Sequence, residues 1–382
     1  PAPAATLPTN LLATKLFVPP ARTNLVDRPR LFERIEAGLQ EKLTLIAAPA
    51  GFGKTTLLSA WLAARTEDRG LRTEIGAASL HPQSSALSTR VGWVSLDNAD
   101  NDPLRFWSYV ITALDTLAPG VGTSALGLLQ SPQPPPIEHI LTIILNALSA
   151  ASAEPPVRDM ALILDDYHVI TAPAIHDALA FLIDYLPSQL HLVILTRADP
   201  ALPLPRLRAR GSVTELHASD LRFTHDEAAT FLNQVMGLAL TAADQAALEA
   251  RTEGWVAGLQ LAALAMRDHQ DRSGFIRSFT GSNRYIVDYL AAEVFASQPA
   301  HIQTFLIQTS ILDRMCGPLC DAVMGLTPDE RPMTNDEGST PGSESVPNAD
   351  HALSSVVRRP SSDSYSQLIL DQLERANLFV VP

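Results

Sequence analysis

Residues 48–56 have the types and spacing of a phosphate-binding loop, since they read Ala-Pro-Ala-Gly-Phe-Gly-Lys-Thr-Thr. Gly51 and Gly53 allow the backbone to curl so that successive N–H groups face phosphate oxygens. The ammonium group of Lys54 can reach the β- and γ-phosphates of a nucleotide, and the Thr55 hydroxyl can bind Mg²⁺. The loop therefore predicts a site for ATP or ADP together with Mg²⁺.

The residues on either side of this loop agree with that interpretation. Residues 43–47 are largely apolar and predict a buried parallel strand, and residues 56–62 predict a helix. The helix N-terminus adds the positive end of its dipole to the phosphate site. Ala48 stands where such a loop usually has its first glycine, and a small residue is tolerated there. We expect nucleotide contacts from a continuous set of loop residues: Pro49, Ala50, Gly51, Phe52, Gly53, Lys54, Thr55 and Thr56.

A pair of acidic residues follows a second apolar strand candidate, residues 161–164. An acid-tipped strand of this kind, downstream of a phosphate-binding loop, is typical of a Walker B motif. Asp165 is the candidate Mg²⁺ ligand, and Asp166 is the candidate base that orients an attacking water. Arg197 ends a further strand candidate, residues 190–196, where it can sense a γ-phosphate or lie in solvent on a loop. Asp166, Arg197 and the loop lysine form the candidate catalytic set.

The predicted elements that position these residues alternate between strands and helices. Strands are predicted at residues 43–47, 91–96, 161–164 and 190–196, and helices at 27–40, 104–117 and 175–186. This alternation indicates right-handed crossovers and a parallel sheet, hence an α/β fold of the P-loop NTPase type. Strand signals stop after about Glu215. A capping box at residues 224–227 then begins a run of helices, including 242–251 and 255–266, which predicts a separate all-α domain.

Domain limits follow from these changes in pattern. We predict an extended N-terminal arm over residues 1–20, a nucleotide-binding domain over 21–215, a helical domain over 216–283 and a further domain over 284–382. Residues 67–90 are weakly patterned and predict a surface insertion. Residues 327–364 are poor in apolar side chains, so we expect them to be disordered. Residues 367–382 predict a helix followed by an apolar strand.

Composition limits the partners of this chain of 382 residues. The formal net charge of −13 argues against nucleic-acid or anionic-membrane binding by the chain itself. No apolar run reaches about 18 residues, and the first ten residues lack the features of a signal peptide, so we expect no membrane span and a cytoplasmic location. The two cysteines, Cys316 and Cys320, are expected to be small buried side chains on one helix face.

Several motifs occur in an order that is specific as a set. They lie at residues 27–31, 48–56, 93–97, 100–102, 164–168, 195–197, 221–224 and 253–261. With them the chain resembles the ATP-binding region of large MalT-like regulators of the LuxR type. These regulators belong to the STAND group of AAA+-related signalling NTPases. The resemblance covers residues 11–325 and resumes at 367–382.

The resemblance implies an order of nucleotide-binding, helical and winged-helix domains, the last over residues 284–382. It also implies an adenine pocket formed around Val26 and Arg28 and by a Gly-x-Pro motif, which here reads Gly258-Leu259-Gln260 and lacks the proline. Residues 97–102 are a hallmark of the family to which we assign no chemical role. On its own, that acidic segment reads as a solvated turn that caps the helix beginning at Pro103.

Two classes of function fit these observations. In the first, the chain is a switch: ADP holds the domains closed, and ATP with a signal opens them and promotes self-assembly, with slow ATP hydrolysis. DNA would be bound only through a domain absent from this chain. In the second, the chain is a turnover ATPase of AAA+ type, a chaperone or motor, which needs an arginine from a neighbouring copy. The cluster Arg206, Arg208 and Arg210 is the candidate for that role. A P-loop kinase is disfavoured, because no arginine-rich lid follows the Walker B strand.

Overall fold

The computed structural model describes residues 11–22, 24–74, 90–151, 160–267, 271–279, 284–296, 298–312, 314–326 and 365–375. The insertion predicted at 327–364, most of the insertion predicted at 67–90 and the strand predicted after residue 375 lie outside these ranges. The chain divides into two compact units, Pro1–Leu290 and Ala291–Pro382. Each unit is described by itself.

A five-stranded parallel sheet forms the centre of the first unit. Its strands are β1 (Leu43–Ala47), β2 (Arg90–Ser95), β3 (Met160–Asp165), β4 (Leu190–Thr196) and β5 (Val213–His217). They lie in the order β2-β3-β4-β1-β5. Every residue of β1, β3 and β4 is buried, as expected for a parallel sheet that is covered on both faces. The residues that follow β1, β3 and β4 therefore meet at one edge of the sheet.

Helices cover both faces of this sheet. In chain order they are α1 (Pro29–Gly38), α2 (Lys54–Glu74), α3 (Pro103–Leu117), α4 (Val121–Leu129), α5 (Ile137–Ala151), α6 (Pro173–Asp184), α7 (Leu204–Ala209) and α8 (Ala218–Leu221). Side chains of α3 to α6 form a core with Leu43 and Leu45 on one face. Side chains of α1 and α2, among them Leu31 and Trp61, form a core with Ile46 on the other face. The predicted α/β fold with a parallel sheet is confirmed.

One prediction about these elements is wrong: α2 continues to Glu74, so residues 67–74 are helical and do not belong to a surface insertion. One strand is not predicted: β5 lies parallel to β1, with Leu43 opposite Val213, and ends just after Glu215. In β5 only Leu216 is fully buried, and this weak apolar pattern explains why the sequence does not predict the strand.

A group of helices follows β5 and α8. They are α9 (His225–Thr230), which continues into a π-helical turn at Phe231–Val235, and then α10 (Ala242–Thr252), α11 (Val256–Met266), α12 (Arg272–Ser278) and α13 (Arg284–Leu290). The predicted capping box begins α9: the Thr224 hydroxyl accepts from the Glu227 N–H, and the Glu227 carboxylate accepts from the Thr224 N–H. Leu248, Leu259 and Ile286 belong to the shared core of this group. The predicted all-α region is therefore present.

The second unit is helical in its described residues. A π-helical turn at Ala291–Phe295 precedes α14 (Ala300–Thr309), α15 (Gly317–Met324) and α16 (Tyr365–Arg375). Cys320 is buried in the core of this unit, as predicted, whereas Cys316 is exposed at the start of α15. Among the helices in the described ranges, none combines the length and the apolar character that crossing a bilayer requires.

Candidate functional site

The loop between β1 and α2 has the backbone that a phosphate cradle requires. Gly51 and Gly53 have φ angles of 79° and 75°, in the left-handed region that glycine adopts without strain. The Lys54 ammonium group donates to the carbonyl oxygens of Ala48 at 2.7 Å and Pro49 at 3.1 Å, which folds the side chain back over the loop. A Cβ added at Gly53 would meet no atom within 4 Å, so the loop has open space beside this residue.

Lys54 is a buried cation. Burial and, second to it, the charge of Arg197 lower the pKa of its ammonium group to about 8, while the charges of Asp166 and Asp165 oppose the shift. The hydrogen bonds of this ammonium group to backbone carbonyls supply no full negative charge. A phosphate group at the loop would supply one, because charge-assisted hydrogen bonds to phosphate are stronger than those to neutral carbonyls.

Thr55 and Asp165 bring together the two oxygen groups that the sequence assigns to Mg²⁺. The Thr55 hydroxyl lies 3.1 and 3.0 Å from the two carboxylate oxygens of Asp165, across 110 positions of sequence. Burial raises the pKa of the Asp165 carboxyl to about 6, and the negative charge of Asp166 adds to this effect. Both groups are oxygen ligands of the kind that Mg²⁺ prefers, so this donor set fits the ion.

The residues after β3 and β4 complete this edge of the sheet. Asp166 has a left-handed backbone with φ of 56°, and its N–H donates to the Asp165 carboxylate at 2.9 Å. The sequence does not predict His168, whose buried Nδ1 has no hydrogen-bond partner and lies 3.7 Å from Asp166 Oδ1. Burial lowers the pKa of His168 to about 3, helped by the charges of Arg197 and Lys54, so the ring is neutral. The structure thus brings all predicted catalytic residues to one place.

A cavity of about 300 Å³ lies beside the loop, at the lower end of the volumes of small-molecule sites. Its wall is mostly apolar: Leu25, Val26, Phe32, Phe52, Leu57, Ala60, Phe223, Phe231, Val235, Met236, Val256 and Ala257. The remaining lining residues are Arg22, Asn24, Arg28, Gly51, Gly53, Thr56, Gln260 and Tyr289. Loop, α1, α2 and the helical group all contribute, so the cavity extends from the phosphate cradle between the two parts of the first unit.

Val26 and Arg28, predicted to lie at an adenine pocket, both line this cavity. The Arg28 guanidinium donates to the Arg222 carbonyl at 2.8 Å and to the Glu227 carboxylate at 3.1 Å, and lies over the Phe223 ring. Burial lowers the pKa of Arg28, and the negative charge of Glu227 opposes this shift. The Arg28 Nε atom is buried without a hydrogen-bond partner.

Gly258, the third residue predicted at that pocket, occupies a different position. It lies in α11, where an added Cβ would come within 2.6 Å of the Trp255 ring. Its neighbours Ala257 and Gln260 line the cavity. The structure therefore places Gly258 against Trp255 and not with Val26 and Arg28.

The helical group contacts the phosphate-binding loop directly, through hydrogen bonds that the sequence does not predict. The Trp255 indole N–H donates to the Ala50 carbonyl at 3.2 Å, and the Ala257 N–H donates to the Gly51 carbonyl at 3.0 Å. A Cβ added at Gly51 would lie 2.6 Å from Ala257 Cβ, 2.9 Å from Trp255 Nε1 and 2.9 Å from the Tyr289 hydroxyl. Gly51 is therefore required by this close packing as well as by the curl of the loop.

The acidic segment 97–102 is only partly a solvated turn. Asp102 caps α3, as predicted, by accepting from the Arg105 N–H at 2.8 Å. Asp100, however, is fully buried and pairs with Lys15 and Arg105. Lys15 belongs to a short 3₁₀-helix at Ala13–Leu16, within the arm predicted to be extended. The segment thus holds the 3₁₀-helix Ala13–Leu16 on the first unit.

Asn101 gives the same segment a second function in packing. Its side-chain N–H donates to the Val169 carbonyl at 2.7 Å, and its carbonyl oxygen accepts from the N–H groups of Thr171 and Ala172. These partners follow the acid-tipped strand β3. Asn101 therefore fixes the loop that carries Asp166 and His168.

The sheet and this site together define the fold of a P-loop NTPase. A glycine-lysine loop follows one strand of the parallel sheet, and an acid pair follows another. Residues 291–336 match the family described as MalT winged helix domain. The chain is 32% identical over 321 residues to the HTH-type transcriptional regulator MalT of Cronobacter sakazakii, covering 82% of this chain and 32% of that protein. It is 31% identical over 323 residues to the serine/threonine-protein kinase PknK of Mycobacterium tuberculosis, covering 84% and 27%.

The chain thus spans about a third or less of the length of these relatives. A solved STAND protein with a tetratricopeptide repeat sensor, PH0952 of Pyrococcus horikoshii, is similar at 15% identity and a TM-score of 0.41, covering 82% of this chain and 39% of that one. The resemblance to MalT-like regulators that the motifs indicate is confirmed. The winged-helix domain predicted in the last part of the chain is supported by the match over residues 291–336.

Proposed function

We propose that the chain is the nucleotide-binding switch module of a STAND-type transcriptional regulator, which binds ADP or ATP with Mg²⁺. One observation carries this proposal. The Lys54 loop and the Thr55–Asp165 pair lie beside a mostly apolar cavity that the helical group closes. A phosphate cradle that continues into an apolar cavity has the chemistry of a nucleotide, whose charged phosphates and flat base need opposite surroundings.

Each end of the site has its own residues in this proposal. Lys54 and the loop N–H groups bind the phosphates, and Thr55 with Asp165 holds Mg²⁺, which neutralises phosphate charge when bound. Val26 and Arg28 contact the base end. The open space at Gly53 and the position of Val26 and Arg28 in the cavity wall support this assignment.

Closure of the helical group over the loop is the second part of the proposal. The hydrogen bonds from Trp255 and Ala257 to loop carbonyls join the two parts of the first unit at the site itself. A nucleotide that contacts both parts stabilises the closed arrangement by its differential affinity. We infer that ADP holds this arrangement and that ATP with a signal opens it and permits self-assembly. The proposal keeps the predicted domain order, with β5 in the nucleotide-binding domain and α13 in the helical domain.

Hydrolysis is assigned to Asp166, which orients water, with Arg197 sensing the γ-phosphate. We expect it to be slow. Arg206, Arg208 and Arg210, the candidates for an arginine offered to a neighbouring copy, form ion pairs with acidic residues of their own chain. This pairing gives the alternative of a ring-forming turnover ATPase no support. Asp166→Asn, which suits a left-handed backbone, should keep nucleotide affinity and slow turnover by about 10²–10⁴-fold.

The similar proteins support the proposal that this chain regulates another domain and does not itself carry out that domain's kinase or transcriptional function. Similar regions occur in a protein named as a serine/threonine kinase and in one named as a transcriptional regulator. A region that occurs in proteins with two such different functions is suited to control either of them. In this proposal, DNA is bound only through parts of the protein outside this chain.

Identification of bound nucleotide tests the proposal. The purified chain is denatured, and the released small molecules are separated and identified, in parallel with a titration of nucleotide-stripped chain by ADP with Mg²⁺. We expect ADP to be retained and ATP turnover to be slow. Fast turnover without retained ADP would favour the turnover ATPase. Absence of both retained nucleotide and ADP binding would contradict the proposal.

A further inference from the structure

Tyr289 lies at the phosphate end of the cavity, although no motif in the sequence points to it. It belongs to α13, the last helix of the first unit, and lines the same cavity as Gly51 and Gly53. An added Cβ at Gly51 would lie 2.9 Å from its hydroxyl oxygen, so the hydroxyl faces the phosphate-binding loop. The residue is about 240 positions from the loop in sequence, which conceals the relationship.

The surroundings of Tyr289 fix the direction of its side chain. Its ring packs at a tilt against the Trp255 ring, with 5.8 Å between the ring centroids. Trp255 itself donates to the Ala50 carbonyl of the loop. One turn before Tyr289, Ile286 is buried in the core of the helical group. The contact with Trp255 and the burial of Ile286 therefore fix the position of the helix. They hold the Tyr289 hydroxyl beside the loop in one side-chain conformation.

A hydroxyl at this position has a clear chemical use. A tyrosine hydroxyl is a hydrogen-bond donor, and phosphate oxygens are strong, charged acceptors. In the proposed function the loop N–H groups bind phosphates near Gly51 and Gly53, so a donor fixed beside them would add one more contact to the same group. Because the Tyr289 ring is already packed, binding a ligand would cost it little further conformational entropy.

We propose that the Tyr289 hydroxyl donates a hydrogen bond to a phosphate of a nucleoside di- or triphosphate held by the loop. This inference rests on the proposed function and adds a phosphate ligand from the helical group. The residue after Leu290, the end of α13, begins the second unit. The nucleotide would thus be bound by a side chain on the helix that leads into the unit with the winged-helix match.

The test compares two tyrosine-to-phenylalanine changes on one helix. Tyr289→Phe removes the hydroxyl beside the loop, and Tyr285→Phe removes the hydroxyl of a largely exposed residue one turn earlier, which does not line the cavity. Affinity for ADP with Mg²⁺ is measured by titration calorimetry on nucleotide-stripped chain, and thermal melting is recorded with and without ADP. A hydrogen bond to a charged group predicts an ADP affinity about 10- to 100-fold lower for Tyr289→Phe. Tyr285→Phe should match the wild type.

Thermal melting separates a phosphate contact from a packing role. We expect the rise in melting temperature on adding ADP to be smaller for Tyr289→Phe than for the wild type, whatever the melting temperature of the variant without ADP. Unchanged ADP affinity would overturn the inference while leaving the proposed function intact. So would an equal rise in melting temperature on adding ADP in the two chains. A wild-type chain that binds no ADP would overturn both.

Discussion

The Arg28 guanidinium donates a hydrogen bond to the Glu227 carboxylate at 3.1 Å, across 199 positions of sequence. Arg28 lines the cavity, and Glu227 lies in α9 of the helical group. Glu227 also accepts from Arg30 at 3.0 Å and from the Thr224 N–H at 3.0 Å. One buried carboxylate therefore caps a helix and joins the helical group to the segment that forms the cavity wall.

Glu227→Gln should weaken this connection. Both side chains of the pair are buried, and removal of one charge leaves the other uncompensated, which costs about 3–5 kcal/mol in buried pairs. We expect the free energy of unfolding to fall by about 3 kcal/mol and ADP to dissociate faster. Chemical denaturation and release of a fluorescent ADP analogue measure the two effects.

Glu249→Gln is the matched control for that change. Glu249 pairs with His225 on the same helical group, but His225 is exposed, and an ion pair in solvent contributes little to stability. The control should leave both ADP release and stability nearly unchanged. If Glu227→Gln behaves like this control, the Arg28–Glu227 pair does not hold the helical group in place.

The close packing at Gly51 predicts a difference between two glycines of one loop. Alanine at either Gly51 or Gly53 places a side chain on a left-handed backbone, at a cost of about 1–2 kcal/mol. Only at Gly51 does the new methyl group also collide with Ala257 and Trp255, which adds about 1–3 kcal/mol of overpacking.

The two variants are compared by the free energy of unfolding without nucleotide. Gly51→Ala should be the less stable by the overpacking cost. Equal stabilities would mean that the helical group moves away from the loop easily, and the closed arrangement would lose its structural support.

The raised pKa of Asp165 predicts a pH dependence of Mg²⁺ binding. Mg²⁺ requires the ionised carboxylate, so the part of the ADP affinity that depends on Mg²⁺ should fall as the pH falls through about 6. Without Mg²⁺, the contribution of Asp165 to folding stability changes with pH in the opposite direction. The folded-state pKa lies above the usual value, so this group's contribution to stability is lost as the pH rises through about 6.

Calorimetric titrations of ADP with and without Mg²⁺ across this pH range measure the effect. Asp165→Asn is the control, since it removes the titrating group and leaves the titration of the ADP phosphate itself. The variant should show a small Mg²⁺ effect that changes little with pH. His168 stays neutral across the range, because burial holds its pKa near 3. A Mg²⁺ effect in the wild type that is constant well below pH 6 would refute the assignment of Asp165 as a ligand.

The sequence predicts those parts of the site that follow directly after strongly apolar strands. The strands β1, β3 and β4 are continuous buried runs, and Lys54, Asp165 and Arg197 lie within a few residues of their ends. A parallel sheet brings such ends together, so local patterns are sufficient here.

Contacts over long sequence distances are not predicted, because they depend on packing rather than pattern. Trp255 and Tyr289 reach the loop from helices about 200 or more positions away. The burial of Asp100 depends on Lys15, which lies 85 positions earlier. β5 has one fully buried residue and so lacks the apolar run that identifies its neighbours. The resemblance implies a base contact near residues 258–260, but it does not predict that Gly258 packs against Trp255 while Gln260 lines the cavity.

The effect of Lys54→Ala on ADP binding tests the central claim most directly. The change removes a buried cation at the loop, and loss of a charge-assisted contact to phosphate costs about 1.5–3 kcal/mol of binding free energy. Lys42→Ala is the control, since the Lys42 ammonium group donates to the carbonyls of Ile183 and Asp184 and does not line the cavity. Calorimetric titration of nucleotide-stripped chain with ADP and Mg²⁺ should give wild-type affinity for Lys42→Ala and at least a roughly tenfold loss for Lys54→Ala. Equal ADP affinity in wild type and Lys54→Ala would contradict the account.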